Sequence, residues 1–364
     1  MPRSRMALAQ DVCAATRTPS ARNTAGALGR RSWDDYDEMA EAIGDAKVRA
    51  FILGRPSRTW SLEAWAVGSS LLQRAVEGAA LSAVGTIAPG RIGYYLTGSR
   101  SASKRCNGVE LDASGVFRWG PGAELSLISR RPADWIAITA TAESIRHAEA
   151  VLGVGRGDGF PFEARASQAT PQHVSGFRRL LEEAMLVLDQ AGPSGLHPES
   201  VRNLERTLSI EAARLFARSA PSAKRRRPVA DRVRVLAAVE EFLAAAGGEP
   251  VYVSDLCERT GLSERTLRYV FEEQFGAGPI RVLRSRRLCE VRRALKGSAP
   301  GTRVRDVAGR FGFWHIGQFG SDYRKLFGER PSETLRRGRG RGSAAAERRV
   351  RTLAGWAEAS GRLG

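Results

Sequence analysis

From Ser32 to about Thr141 the apolar positions fall in short runs: Ala50–Leu53, Leu81–Ile87, Ile92–Leu96, Leu125–Ile128 and Trp135–Thr139. Gly, Pro and Asn-Gly punctuate them, which is the pattern of short β-strands joined by turns. Asn107-Gly108 and Pro121-Gly122 predict turns, the second flanked by Val116-Phe117 and Leu125–Ile128. Many short strands with frequent turns predict a sandwich or small barrel. Beyond Thr141 the period lengthens. Thr141–Leu152 predicts a helix, and residues 172–190 and 198–218 predict two more. Phe177, Leu180, Leu181, Ala184 and Leu188 recur at helical spacing in the first of these, Val201, Leu204, Leu208, Leu215 and Phe216 in the second. Such a pair serves either as core packing or as a dimer seam, and the pattern leaves both open.

The strongest pattern lies in residues 232–337, where the chain repeats itself at an offset of 51 to 52 residues. One copy runs from Asp255 to Leu283 and the other from Asp306 to Leu335. Leu256-Cys257 match Val307-Ala308, and Gly261 matches Gly312. With one residue added in the second turn, Leu267 matches Phe319 and Phe271 matches Tyr323. Phe275-Gly276 then match Phe327-Gly328, Pro279 matches Pro331, and Leu283 matches Leu335.

Each copy has the layout of a helix-turn-helix. A short helix ends at a glycine that can supply the left-handed backbone of a sharp turn. A small residue, Cys257 or Ala308, lets the two helices approach closely. Ser263 is placed to cap the second helix of the first copy. Leu267, Val270 and Phe271 share its inward face, which leaves Arg265, Thr266, Arg268 and Tyr269 on the faces a recognition helix presents to a major groove. In the second copy Phe319, Tyr323 and Phe327 point inward, and Trp314, His315, Gln318, Ser321 and Arg324 are the candidate DNA contacts. Between the copies, Ile280–Leu295 predicts one continuous helix carrying Arg281, Arg284, Arg286, Arg287, Arg292 and Arg293. Pro300-Gly301 ends that stretch.

Charge points the same way. The chain carries +18, and from Arg218 to Gly364 there are 31 Lys and Arg against 16 Asp and Glu, a net +15. Residues 1–217 hold only +3. A basic half joined to a near-neutral one is the electrostatic profile of a nucleic-acid binder with an attached partner module. Only five of the 57 cations are lysines, and arginine suits bidentate contact with phosphate or guanine.

The region 232–337 resembles the double helix-turn-helix DNA-binding domain of the AraC/XylS family of bacterial transcription regulators. Asp255–Phe271, Arg286-Arg287-Leu288 and Gly312-Phe313 through Phe327-Gly328-Glu329-Arg330-Pro331-Ser332 carry the resemblance. The match covers about a hundred residues, under a third of the chain. It departs from many members at Gly317, Gly320 and Ser321, which leave the second recognition helix a sparser polar surface. The resemblance implies a transcription activator that binds double-stranded DNA as a homodimer and contacts RNA polymerase. It also implies a β-rich half for dimerisation and for sensing a small-molecule effector. Two recognition helices on one stiff helix should enter major-groove segments about one turn, roughly 34 Å, apart.

Other chemistries leave no trace. His147, His173, His197 and His315 are isolated, which speaks against a metal-binding barrel. Cys13, Cys106, Cys257 and Cys289 show no CxxC spacing, so neither a disulfide scaffold nor a four-cysteine zinc site is expected. Cys106, in Lys-Arg-Cys-Asn-Gly, lacks an activating motif for the acceptor cysteine of a DNA-repair alkyltransferase. No GxSxG, Walker loop or HExxH occurs, and Gly153–Gly159 does not fit GxGxxG. Trp60, Trp65, Trp119 and Trp135 are core residues or a ligand platform. No apolar stretch is long enough for a membrane span, and the first twenty residues lack a secretory core, so a cytoplasmic, nucleoid-associated protein is expected.

The expected organisation is α+β. Residues 1–31 form a disordered arm, 32–152 a β-rich effector and dimerisation domain, and 153–218 a helical connector. A basic linker at 219–231, with Lys224–Arg227, leads to the all-α domain at 232–337 and a basic tail at 338–364. The function read from this is a sequence-specific DNA-binding regulator, not an enzyme, needing no cofactor or metal. The alternative is a nonspecific architectural DNA-binding protein.

Overall fold

The computed structural model describes residues 25–98, 104–154, 165–191, 195–221, scattered positions between 235 and 246, and 250–338. Two antiparallel sheets lie face to face. The larger joins β1 (Ala25–Trp33), β3 (Trp60–Val67), β4 (Ser70–Val76), β11 (Asp134–Thr141), β6 (Arg91–Thr97), β9 (Gly115–Trp119), β12 (Arg165–Gln168) and β13 (Ala220–Pro221), in that spatial order. The smaller runs β2 (Ala46–Ile52), β5 (Leu81–Ile87), β10 (Glu124–Ser129), β7 (Lys104–Cys106) and β8 (Val109–Leu111). The sandwich expected from the punctuated apolar runs is present.

The strand period explains the layers. On β11, Trp135 points between the sheets while Ile136, Ile138 and Ala140 point to the opposite face. On β6, Tyr95 faces the gap between the sheets and Ile92, Tyr94 and Leu96 face away from it. Both strands are buried on both sides, which is why they read as continuous apolar runs rather than alternations. The outer face of the larger sheet is covered by α2 (Ala142–Val151), α3 (Pro171–Gln190) and α4 (Pro198–Arg218). Val174, Phe177, Leu181 and Leu188 of α3 and Val201, Leu208, Leu215 and Phe216 of α4 pack into that layer. Core packing is therefore the role of these apolar faces.

Asn107-Gly108 form the tight turn of the β7–β8 hairpin, both with positive φ (45° and 78°), as a two-residue hairpin loop requires. Between β1 and β2 a seven-residue helix, α1 (Tyr36–Ala42), is capped by the Asp35 carboxylate, which accepts from the Asp37 amide at 3.0 Å. Tyr36, Met39 and Ala40 are its buried residues.

Three expected boundaries are corrected. The arm assigned to residues 1–31 contains strand from Ala25 onward; residues 1–24 lie outside the described residues. β1 is an edge strand that stays largely exposed, so it shows no apolar alternation, and Gly29 makes an irregularity in its pairing with β3. The connector 153–218 contains β12, and the linker 219–231 begins with β13. Both are too short to show a period. The Lys224–Arg227 run, most of Gly153–Gly159 and the tail from residue 339 lie outside the described residues.

The C-terminal region is helical. After described helical positions at 235, 238–239 and 241–243 come α5 (Val253–Thr260), α6 (Glu264–Phe275), α7 (Pro279–Lys296), α8 (Val304–Arg310), α9 (Ile316–Phe327) and α10 (331–338). It does not stand apart from the sandwich. Leu53 and Ile128 of the smaller sheet's side join Leu256, Leu267, Phe271 and Leu283 in one core cluster. Leu288, Cys289 and Val291 of α7, with Phe319 and Tyr323 of α9, belong to the same cluster as Tyr36, Ile52 and Trp60. Each such side chain fully removed from water contributes about 1.5–3 kcal/mol, so the smaller sheet is held on both faces.

Candidate DNA-binding surface

The first helix-turn-helix is built from α5 and α6. The Asp255 carboxylate accepts from the Tyr252 amide at 2.8 Å and starts α5. Gly261, at φ 67°, ends it in the left-handed conformation that a side chain would strain. Ser263 then caps α6: its Oγ accepts from the Thr266 amide at 3.3 Å. Leu267, Val270 and Phe271 are buried at i, i+3 and i+4, which fixes the roll of the helix. That roll leaves Ser263, Arg265, Thr266, Arg268 and Tyr269 exposed on one surface. Arg268 meets Glu264 only at 3.9 Å, with both side chains solvated. Such a pair contributes little and is exchanged easily for another anion.

The second unit uses α8 and α9 around Gly312, whose φ is 76°. Trp314 is 77% exposed at the turn. His315 occupies the cap position of α9 without a side-chain bond to the helix. Gln318, Ser321 and Arg324 are exposed along α9, and Gln318 donates to Asp322 Oδ1 at 3.0 Å. Phe319 and Tyr323 are buried beneath them. All ten residues expected to contact DNA thus fall on two exposed faces, five on each unit.

Most of the cations carried by the linking helix α7 are engaged inside the protein. Arg286 is buried and donates to the Leu243 carbonyl. Arg287 stands over the rings of Tyr252, at 5.5 Å, and Phe313, at 5.4 Å, and so ties the two units together. Burial pulls both guanidinium groups below their ordinary value. Arg284 pairs with Asp322 of α9. Arg292 binds Asp35 at 3.0 Å and Glu329 at 3.3 Å; Arg293 binds Asp37 and Glu290, each at 2.8 Å. These side chains are scaffold. Asp35 and Asp37 are the acidic partners here that lie outside the C-terminal region, so these pairs offset little of its +15. Exposed cations among the described residues include Arg265 and Arg268 on α6, Arg281 on α7, Arg305 on α8, and Arg324 and Lys325 on α9.

One cation near this surface was invisible to sequence reasoning. Arg55, from the loop after β2, lines an open groove of about 720 Å³ with Ile316, Ser321, Arg324, Lys325 and Arg330. A side-chain carbon built on Gly328 would lie 3.2 Å from Arg55 Nε. The contact spans more than 260 residues of chain, and no local pattern announces it.

Cys106 is fully buried between the sheets, and burial pushes its thiol well above the ordinary range, the opposite of an activated nucleophile. Among the described residues no group of three or more His, Cys, Asp and Glu is arranged to hold a metal ion. Among the same residues no helix is long and apolar enough to cross a membrane.

Residues 256–337 match the family model described as a helix-turn-helix domain. The domain is of the AraC type. This bears out the resemblance read from the repeat. The chain is 34% identical over 97 residues to a probable thc operon regulatory protein of Rhodococcus erythropolis, covering 26% of this chain and 29% of that one. To an XylDLEGF operon transcriptional activator of Pseudomonas putida it is 30% identical over 189 residues, covering 49% and 53%. Another Pseudomonas putida relative, XylDLEGF operon transcriptional activator 2, is 37% identical over 100 residues, covering 27% and 62%. The chain thus spans less than two thirds of the length of each of these relatives. Among solved structures, the AraC-like transcriptional activator CuxR aligns with 72% of this chain and 94% of its own, at 15% identity and a TM-score of 0.36. Beside the AraC-type domain the chain carries the sandwich and its helical layer as a second, larger body.

Proposed function

We propose that the protein is a sequence-specific DNA-binding transcription regulator of the AraC type. One observation carries the reading. Two glycine-turned helix pairs, inside a region matched as a helix-turn-helix domain, share one buried linking helix and keep their polar faces exposed. In this reading Arg265, Thr266, Arg268 and Tyr269 on α6, with Ser263 at its start, read one major-groove segment. Trp314, His315, Gln318, Ser321 and Arg324 meet the next. Sequence is read by donors that match base edges, and the arginines are the residues suited to guanine.

The reading extends to the rest of the chain. The sandwich senses a small effector, a second copy of the chain joins to form a dimer, and the regulator acts as an activator in contact with RNA polymerase in the bacterial cytoplasm. Adjacent exposed Leu186 and Val187 on α3 support self-association through the helical layer. No catalytic step is assigned to any residue.

Selection of binding sites from random double-stranded DNA by the full-length chain tests the reading. Enrichment of a two-box motif is the expected result. Uniform recovery, with affinity falling with salt at a slope of about −0.9 per phosphate contacted and no base preference, would identify a nonspecific architectural binder instead.

A further inference from the structure

The groove beside α9 is lined by four cations, Arg55, Arg324, Lys325 and Arg330, and by no acidic residue. All four are exposed, and none of their side chains has an ion pair or a hydrogen bond among the described residues. The nearby carboxylates are engaged elsewhere. Asp322 holds Arg284, Glu329 holds Arg292 and Arg337, and Glu333 accepts from the Arg330 amide at 2.6 Å. Cations crowded together without counter-charge raise the local positive potential, which favours a polyanion. At about 720 Å³ the groove is open and far larger than one small anion fills.

Arg55 is the member that the sandwich supplies. Its loop is pinned on both sides: the Leu53 amide donates to the Ala80 carbonyl and the Ser57 amide to the Gly78 carbonyl, each at 2.8 Å. Pro56 restricts the backbone of Arg55 as well. Arg58 of the same loop is paired with Asp134 at 3.0 Å. The Arg55 guanidinium lies against Gly328: a side-chain carbon built there would stand 3.2 Å from both Nε and Nη2. Gly328 closes α9, and the carbonyl end of a helix favours a cation without neutralising it. Arg55 is thus held in place but uncompensated.

Ile316, Gly320 and Arg324 form one row of α9 and one wall of the groove, and Ser321 belongs both to the groove and to the exposed face assigned to DNA. A polyanion in the groove would therefore run alongside the helix that enters the major groove. That is the course of the sugar-phosphate strand beside a recognition helix. We infer that Arg55 and Arg330 bind a backbone phosphate bordering the second box, so that the sandwich touches DNA directly. The contact fixes position and carries no base preference. Resting on the DNA-binding reading above, it comes from outside the helix-turn-helix domain.

Arg55→Gln in the full-length chain should leave the thermal melt unchanged and weaken binding by one factor on the selected site and on each of its single-base variants. The fall of log affinity with log salt should become shallower by about 0.9, so the native chain's advantage should shrink about 3.5-fold between about 50 and 200 mM. Arg55→Lys, which keeps the charge, should restore the slope. Arg146→Gln, an equal loss of charge on the exposed side of α2 in the far helical layer, should not alter it. Neutral methylphosphonate at single phosphates should weaken the native chain at one position bordering the second box, and Arg55→Gln should be indifferent there. A native slope in Arg55→Gln on a selected two-box site overturns the contact and leaves the regulator reading standing. So does a slope flattened equally by Arg146→Gln, which makes the effect one of net charge, or one that Arg55→Lys fails to restore, which makes Arg55 a tie to Gly328. A native chain without base preference whose slope still flattens in Arg55→Gln alone refutes the regulator reading and keeps the phosphate contact. A native chain that binds no duplex removes both.

Discussion

The two helix-turn-helix units descend from one pattern and are finished differently. The first caps its second helix with Ser263 and covers the outer face with Arg265, Thr266, Arg268 and Tyr269. The second leaves α9 without a side-chain cap and places Gly317, Gly320 and Ser321 where the first has long polar groups. Inside, the weighting is reversed. Phe313, Phe319, Tyr323 and Phe327 form a ladder of rings 5.1, 5.7 and 4.5 Å apart. The Tyr323 hydroxyl lies 2.8 Å from Thr334, which donates to Glu329 at 2.8 Å, and Glu329 holds Arg292 of α7. One repeat can thus be tuned toward an informative surface or toward an anchored interior, because the two sets of positions on a helix are independent. The second unit is the one tied most heavily to α7 and, through Arg292, to α1.

The largest effect should come from breaking that anchor. Phe319→Ala and Tyr323→Ala each remove a fully buried ring and should destabilise the second unit by roughly 3–5 kcal/mol, read in a denaturant melt. An altered base preference with stability intact would place these rings on the DNA side and reverse the comparison.

Next comes the surface of the first unit. Arg268→Ala, and to a smaller extent Arg265→Ala, should cost about 1–3 kcal/mol at one base position of one box and leave the other box unchanged. Titrations against DNA carrying single substitutions in each box separate the outcomes. A uniform loss on every sequence would make both arginines phosphate contacts.

Much of this site was legible in the sequence, because helix faces follow from local spacing. Leu267, Val270 and Phe271 fix which side of α6 is buried, and the exposed residues follow without any tertiary information. Ser263 as a cap and Gly261 and Gly312 as turn residues were legible for the same reason. The arginines of α7 were not. The sequence placed Arg286, Arg292 and Arg293 on one helix without naming their partners, which are Leu243, Asp35 and Asp37, the last two more than 250 residues away. Ion pairs at that separation leave no period. Strands β3 and β4 went unnamed because Ser61, Glu63, Gln73 and Arg74 interrupt their apolar runs, while burial on both faces leaves no alternation to mark a strand. The separation into two halves was also a local inference. The shared core of Leu53, Ile128, Leu267 and Leu283 joins them in space.

A smaller effect tests the ends of the two recognition helices. Ser263→Ala should lower stability by about 1 kcal/mol, since it strands the Thr266 amide. His315→Ala should leave stability unchanged within a few tenths of a kcal/mol, because His315 makes no capping bond to lose. Equal losses at the two positions would mean that the units are capped alike and that the difference between them lies only in their outer faces.

The smallest effect has the sharpest sign. Gly320 lies in the middle of α9 with an ordinary helical backbone, and a side-chain carbon added there would meet nothing within 4 Å. Neither backbone conformation nor packing inside the protein calls for glycine at that position. Gly320→Ala should therefore raise the thermal stability of the domain by roughly 0.5–1 kcal/mol, the usual cost of glycine in a helix interior. Affinity for DNA then decides why the glycine is there. If α9 lies close against the sugar-phosphate backbone, the added methyl group should weaken binding while the protein becomes more stable. That opposite movement of stability and affinity would show a second unit shaped for close approach rather than for base contact. If affinity stays constant or rises with stability, α9 does not press on DNA at Gly320, and the second unit serves chiefly to anchor α7 in place for the first.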